Sequence, residues 1–314
     1  MYQSLTRLTL ASCVMLYSCT LFAADRVLHW KLDENGGTTA TDSSSSGITG
    51  AFNNSPTYTT GKIGVSAIDL DNSSSDSVKS AENPTGLPEG FAARTVSFWA
   101  NIQTLNTTGG DIYGGYGDDQ SNQNFQLGNS YVSGNHDKLM LYAFGGSNDF
   151  QTNIDLTTLA NQWVLLTGRY DGTTVFVNLN GDDNQDSANR NLNTDAQNVE
   201  IGGEVDGGRH SDVIVDDFVI WDSFLTDAEV NALYSFGNDT GLAFDAEEME
   251  SLFDLHDAGT GSVIIDGLEF FFADNLTGTP GEVQNAGGQI FTVLDGSAGT
   301  GVAAAVLIPE PTTI

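Results

Sequence analysis

Short runs with every second residue apolar recur across residues 27–221, and clusters of Gly, Asn, Asp and Ser separate them. No other feature constrains the fold as tightly. A period of two puts alternate side chains on opposite faces of a strand, and frequent turns favour antiparallel neighbours over helical crossovers. In Thr95-Val96-Ser97-Phe98-Trp99-Ala100-Asn101-Ile102, residues Val96, Phe98, Ala100 and Ile102 share one face, while Ser97, Trp99 and Asn101 share the other. Residues 27–32, 67–70, 138–144, 163–170, 174–179, 199–202 and 213–221 repeat the pattern. Asp171-Gly172-Thr173, set between two such runs, is a strong hairpin signal. The expected class is all-β, with two antiparallel sheets packed as a sandwich.

Helical spacing interrupts this rhythm near the C-terminus. Thr226 and Glu229 form a capping box, and Val230, Leu233 and Tyr234 follow as an i, i+3, i+4 stripe. The sandwich is expected over residues 25–240. A small acidic α+β or β unit follows at 241–307, opening on a helix with Met249, Leu252 and Phe253 along its apolar side. Residues 263–265 and 268–272 flank Asp266-Gly267 as a second hairpin, and 289–294 predict a further strand. A piece of this size has a marginal core by itself and leans on the larger domain or on a partner.

Charge excludes several partners. The 314 residues hold 10 Lys and Arg against 42 Asp and Glu, a formal net charge of −32. Phosphate backbones need cations to neutralise them, so nucleic acid is excluded as a partner and anionic lipid is a poor one. Arg209 is the last basic residue. Repulsion within the acidic stretch beyond it is relieved by salt or bound cations.

The N-terminus is expected to be a signal peptide over residues 1–24. Arg7 supplies the positive end, 8–22 the apolar run, and Ala23-Ala24 the small residues before Asp25. Both cysteines, Cys13 and Cys19, lie inside it, so the mature chain is expected to have neither disulfides nor thiolate metal sites. Lipid attachment at Cys19, after Leu16-Tyr17-Ser18, is the alternative reading. Either way the protein is expected to be exported, to the surface, extracellular space or envelope of a bacterium.

Four stretches in order, "LHWKLDENGGTTATDSSSSGITGAF", "TVSFWANIQ", "QWVLLTGRYDGTTVFVNLNGD" and "VIVDDFVIWDSFLTDAEVNALY", resemble the laminin-G-like, concanavalin A-like jelly roll of exported bacterial proteins. The likeness covers about residues 27–236. Residues 308–314, beginning Ile308-Pro309-Glu310-Pro311, resemble the start of a PEP-CTERM sorting motif; the membrane stretch and arginine cluster of that family do not follow before Ile314. Membrane attachment is therefore expected only through such a missing tail.

The hydrolases of this resemblance carry Glu-x-Asp-x-x-Glu on one strand, pointing the carboxylates into a cleft. Glu204-Val205-Asp206-Gly207-Gly208-Arg209 has an arginine where the second glutamate belongs, so no catalytic pair is expected. There is no Gly-x-Ser-x-Gly elbow, His29, His136, His210 and His256 lack zinc-site spacing, and the glycine pairs lack a phosphate-binding lysine. The resemblance implies a structural calcium held by Asp216, with carbonyls near Asp33 and Asp42 completing the shell, and oxygen-rich turns suit that hard cation. For sugar binding, Trp99 is the expected stacking platform beside Asn101, with Tyr113, Tyr116 and Tyr142 in support. The competing reading buries each of these rings in the core.

The expected function is a non-catalytic binding module for glycan or matrix polymer, supported by calcium. Two alternatives stay open: a diverged glycan-active hydrolase or lyase, and a structural envelope protein that binds other proteins through its acidic unit.

Overall fold

A computed structural model describes residues 24–145, 147–181, 184–238, 244–258, 261–265, 268–273, 283–286, 289–292 and 302–306. The expected signal peptide up to residue 23, the Asp266-Gly267 turn and the sorting motif lie outside them. The sandwich strands, in chain order, are β1 (Arg26–Trp30), β2 (Thr39–Ala40), β3 (Gly50–Asn53), β4 (Thr57–Thr59), β5 (Ala67–Leu70), β6 (Ser77–Ser80), β7 (Arg94–Thr104), β8 (Ile112–Gly117), β9 (Asn124–Asn129), β10 (Lys138–Tyr142), β11 (Phe150–Asp155), β12 (Trp163–Tyr170), β13 (Thr174–Leu179), β14 (Gln185–Asn189), β15 (Asn198–Ile201) and β16 (Asp212–Trp221). Two helices follow, α1 (Asp227–Asn238) and α2 (Ala246–Ala258). Short strands then run β17 (Ser262–Ile265), β18 (Leu268–Ala273), β19 (Val283–Ala286), β20 (Gln289–Thr292) and β21 (Val302–Val306).

The fold is an all-β jelly-roll sandwich. The first sheet has the order β14-β13-β12-β7-β16-β5-β4, with β1 also on β16; the second runs β11-β10-β9-β8-β15-β6-β3-β2. Among the described residues every strand pairing is antiparallel, as the turn-rich sequence requires. The Asp171-Gly172 hairpin closes with Tyr170 opposite Val175, and Gly172 takes φ +101°, open to glycine at little cost.

Alternation decides the packing. Val96, Phe98, Ala100 and Ile102 point between the sheets, where they meet Tyr116, Phe125, Leu127, Leu166, Val199 and Phe218 in one buried core. Trp99 points the other way. With Leu165, Val219 and Trp221 it floors a second core, roofed by Val230 and Leu233 of α1 and by Met249, Leu252 and Phe253 of α2. The first sheet thus carries buried apolar side chains on both faces.

Local signals place the helices. The Thr226 amide donates to Glu229 at 2.6 Å and the Glu229 amide to the Thr226 hydroxyl at 3.3 Å, the reciprocal box expected from the sequence. Asp245 and Glu248 repeat the device at α2. Scarce cations tie the acidic helix down: Arg26 meets Glu250 at 2.8 Å, and Lys31 meets Asp245 and Glu247, each at 2.6 Å. The expected second hairpin is present in register, Ile265 opposite Leu268. Among the described residues no helix is long and apolar enough to cross a membrane.

Candidate functional site

The aromatic residues expected to stack sugars are structural in this fold. Trp99 is 2% exposed, stacked on Tyr234 with centroids 5.9 Å apart and capped by the Lys62 ammonium at 4.9 Å. Asn101 shares its face, and its Oδ1 is buried without a partner. Tyr113, Tyr116 and Tyr142 are likewise buried, and their hydroxyls serve the protein itself. Tyr116 donates to the Pro88 carbonyl at 2.7 Å, Tyr142 to the Asn129 carbonyl at 2.5 Å, and Tyr113 to the Asn129 side chain at 3.4 Å. Tyr113 and Tyr116 both lie on strand β8. Sequence alternation assigns Trp99 its face but says nothing of the helices that cover it.

The three aspartates expected near a cation occupy two places. Asp216 is fully buried; its Oδ2 accepts the amides of Lys62 at 2.7 Å and Ile63 at 2.9 Å, and its Oδ1 accepts that of Asp217 at 2.9 Å. Burial holds this carboxyl well above the usual range, the amides pull it back, and the charges of Asp217 and Asp33 push it further up. Asp33 accepts the amides of Val65 at 2.6 Å and Ser66 at 2.9 Å. Asp42 instead caps its own turn, accepting the amides of His29, Ser44 and Ile48.

Around Gly61 the oxygens converge. A Cβ there would lie 2.7 Å from the carbonyls of Ile63 and Ser66 and 2.9 Å from Asp216 Oδ2, closer than any side chain tolerates, so the close packing requires glycine. Two carbonyls and a carboxylate are donor types that a hard cation selects, with Asp33 beside them, though the Asp216 oxygens already accept three backbone amides. Among the described residues no three acidic, histidine or cysteine side chains gather, so such a cation would rest on backbone oxygens.

The outer surface of the second sheet is polar and covered over its middle: Asn124 and Gln126 are fully buried there, with Glu200 and Asn198 nearly so, and exposure is confined to its edges near Ala51 and Asn53. Since Val78, Phe125, Leu127, Val199 and Ile201 point into the core, Lys79, Asn124, Gln126, Asn198 and Glu200 point outward. One rung across the sheet reads Ala51, Lys79, Glu200, Gly115, Gln126, Tyr142. Lys79 lies 3.1 Å from Glu200, whose carboxyl is raised by burial and lowered in part by that lysine. A groove of about 370 Å³ opens beside Lys79, walled by Thr39, Thr49, Asn53 and Ala81.

The loop from Gly202 to Ser211 folds over the same face. Lys79 donates to the Val205 carbonyl and Gln126 Nε2 to that of Gly203, pinning it. Glu204 pairs with Arg209 at 3.3 Å, and the Arg209 guanidinium covers the Tyr131 and Tyr142 rings at 5.1 and 5.7 Å. Burial pushes the Glu204 carboxyl up to about 7, with Asp206 adding to the shift and Arg209 opposing it. Sequence reading missed Asn124, Gln126, Asn198 and Glu200. Their alternation with Phe125, Leu127, Val199 and Ile201 was the available signal.

The family model of concanavalin A-like lectin/glucanases, in its laminin-G form, matches residues 72–231, just over half of the chain. The chain belongs to the concanavalin A-like lectin/glucanase superfamily. No curated protein sequence matches it significantly. Among solved structures, domain 4 of AbnA, an extracellular arabinanase of family GH43 from Geobacillus stearothermophilus in complex with arabinotriose, aligns with TM-score 0.51 and 21% identity. The alignment covers 67% of this chain and 98% of that one. The receptor binding domain of botulinum neurotoxin C/D mosaic serotype aligns at TM-score 0.51 and 14% identity, over 67% of this chain and 51% of the other. The serotype D ligand binding domain in complex with N-acetylneuraminic acid gives 0.50, 14%, 67% and 50%. This chain thus spans about half of the toxin domains, and at these identities the likeness is one of fold.

Within the lectin/glucanase sandwich, the two outer sheet faces of this member are covered differently. The first sheet's outer face is sealed by α1 and α2; the second carries polar side chains and the Lys79 groove.

Proposed function

We propose that this sandwich is a non-catalytic, exported binding module for a neutral glycan or extracellular polymer. The groove at Lys79 carries the reading: Asn53, Thr39, Thr49 and Lys79 offer amide, hydroxyl and ammonium groups on a rigid strand floor, the chemistry that grips sugar hydroxyls. The superfamily and the sugar complexes among its structural neighbours support it. A net charge of −32 favours a neutral chain such as arabinan over a sialylated one. We propose further that calcium binds beside Gly61, fixing Asp216 and the carbonyls of Ile63 and Ser66, and that envelope proteins are secondary partners. The test is a glycan array read with the full chain in calcium and in chelator, followed by titration of arabinotriose into the wild type and Asn53→Ala. Retention of neutral glycans, weakened by the substitution, is expected; retention of sialylated glycans alone would remove the reading.

One observation favours a second reading, a diverged glycan hydrolase: Glu204, a carboxylic acid titrating at about 7, lies over the face that carries Glu200. Release of reducing sugar from arabinan or laminarin, abolished by Glu204→Gln, would establish it.

A further inference from the structure

We propose a second sugar-contacting cleft at one end of the sandwich, between residues 83–90 and 193–196. It takes its ligand class from the glycan reading above. Two adjoining hollows of about 360 and 400 Å³ share Glu89: Asn83, Thr85 and Leu87 line one, and Gly90, Asn193, Thr194 and Asp195 the other. The next residue, Phe91, is 55% exposed, a large ring in water one position from the wall.

Unfinished hydrogen bonding marks this end. Among the described residues, the buried side-chain atoms without a hydrogen-bond partner include Asn122 Oδ1, Asn124 Oδ1, Thr194 Oγ1 and Asn198 Nδ2. These sit on two segments that cross: the Asn193 amide donates to the Asn122 carbonyl, and the Asp195 amide to that of Gln123. Thr194 is 2% exposed and lines the cleft, so its free hydroxyl is a buried polar group awaiting a partner.

The walls are built in advance. Arg94, fully buried, donates to the carbonyls of Ala92 and Gly90 and approaches that of Pro88, which also accepts the Tyr116 hydroxyl. The Gly90 amide donates to the Thr194 carbonyl at 2.8 Å, stitching one wall to the other. Walls held from beneath lose little freedom when a ligand arrives. Tyr116 thus acts as a positioning residue for the cleft.

The lining sets the ligand class. Glu89 and Asp195 are acidic, Asn83, Thr85, Asn193 and Thr194 are neutral donors and acceptors, and no cationic side chain lines either hollow. Carboxylates accept from sugar hydroxyls and repel carboxylate or phosphate ligands. The cleft thus suits a neutral oligosaccharide, and Phe91, on the stretch next to Gly90, offers an exposed ring within reach of a longer chain.

Titration calorimetry of the full chain against arabinotriose, cellotetraose, xylotetraose and sialyllactose tests this. Phe91→Ala and Thr194→Val, checked for unchanged melting, are each expected to weaken the best-bound neutral sugar about 5- to 10-fold. Binding unchanged in both, yet weakened by Asn53→Ala, overturns the cleft and leaves the Lys79 groove. Sialyllactose binding tighter than every neutral sugar overturns the ligand class. Failure of the wild type to bind any of the four overturns the glycan reading and the cleft with it.

Discussion

The buried carboxylate of Asp216 receives the backbone amide of Ile63 at 2.9 Å across 153 residues of sequence. It joins the last long strand to the turn that precedes β5, and the Lys62 and Asp217 amides share it.

Asp216→Ala should destabilise the fold in chelator by about 2–4 kcal/mol, because three amides lose a buried acceptor. Calcium should raise the melting temperature of the wild type and leave that of the variant unmoved. An unchanged wild-type melting temperature in calcium, read by differential scanning calorimetry, would remove the cation from this site.

Glu204 gives stability a pH dependence of known sign. Its folded pKa of about 7 exceeds the 4.5 of an ordinary glutamate, so the folded state holds the extra proton between those values. The stability tied to Glu204 is therefore complete below about 4.5 and falls as pH rises through about 7. Glu204→Gln should flatten that fall in urea midpoints taken from pH 4 to 8. Amide exchange in the loop over the second sheet, corrected for intrinsic rates, should rise over the same window in the wild type only.

Trp99→Ala should cost about 3–5 kcal/mol, the range for truncating a buried large ring. The loss falls on the core shared with Tyr234, Leu233 and Met249. Sugar affinity of the folded fraction should be unchanged. A selective loss of binding at constant melting temperature would restore Trp99 as a ligand platform.

Arg94→Met should cost on the order of 3 kcal/mol, since the carbonyls of Gly90 and Ala92 lose their charged donor. Thermal melts should show it. Tyr116→Phe removes the bond donated to Pro88 and the one accepted from Arg94, so it should cost about 1–3 kcal/mol while loosening sugar binding at the Phe91 cleft.

The fold was largely legible. Alternation in 95–102 named the core face, Asp171-Gly172 named a hairpin, and Thr226 with Glu229 named a helix start; each is a local pattern that backbone geometry reads directly. The site was less so. A strand's period says that Trp99 and Val96 face opposite ways, but whether the Trp99 side meets water depends on α1 and α2, more than 120 residues further on. The same ignorance hid the role of Tyr116, whose hydroxyl finds a loop carbonyl 28 residues away.

By itself, then, the sequence determined the sheet architecture, its antiparallel connections, the helix caps and the sign of the net charge. These follow from nearest-neighbour sterics and from summed charge, which need no knowledge of distant contacts. Only the tertiary structure decided what covers each outer sheet face, and which polar atoms around Asn122 and Thr194 are left without partners. Exposure and hydrogen-bond satisfaction belong to pairs of surfaces, and the partner surface is chosen only when the chain has closed on itself.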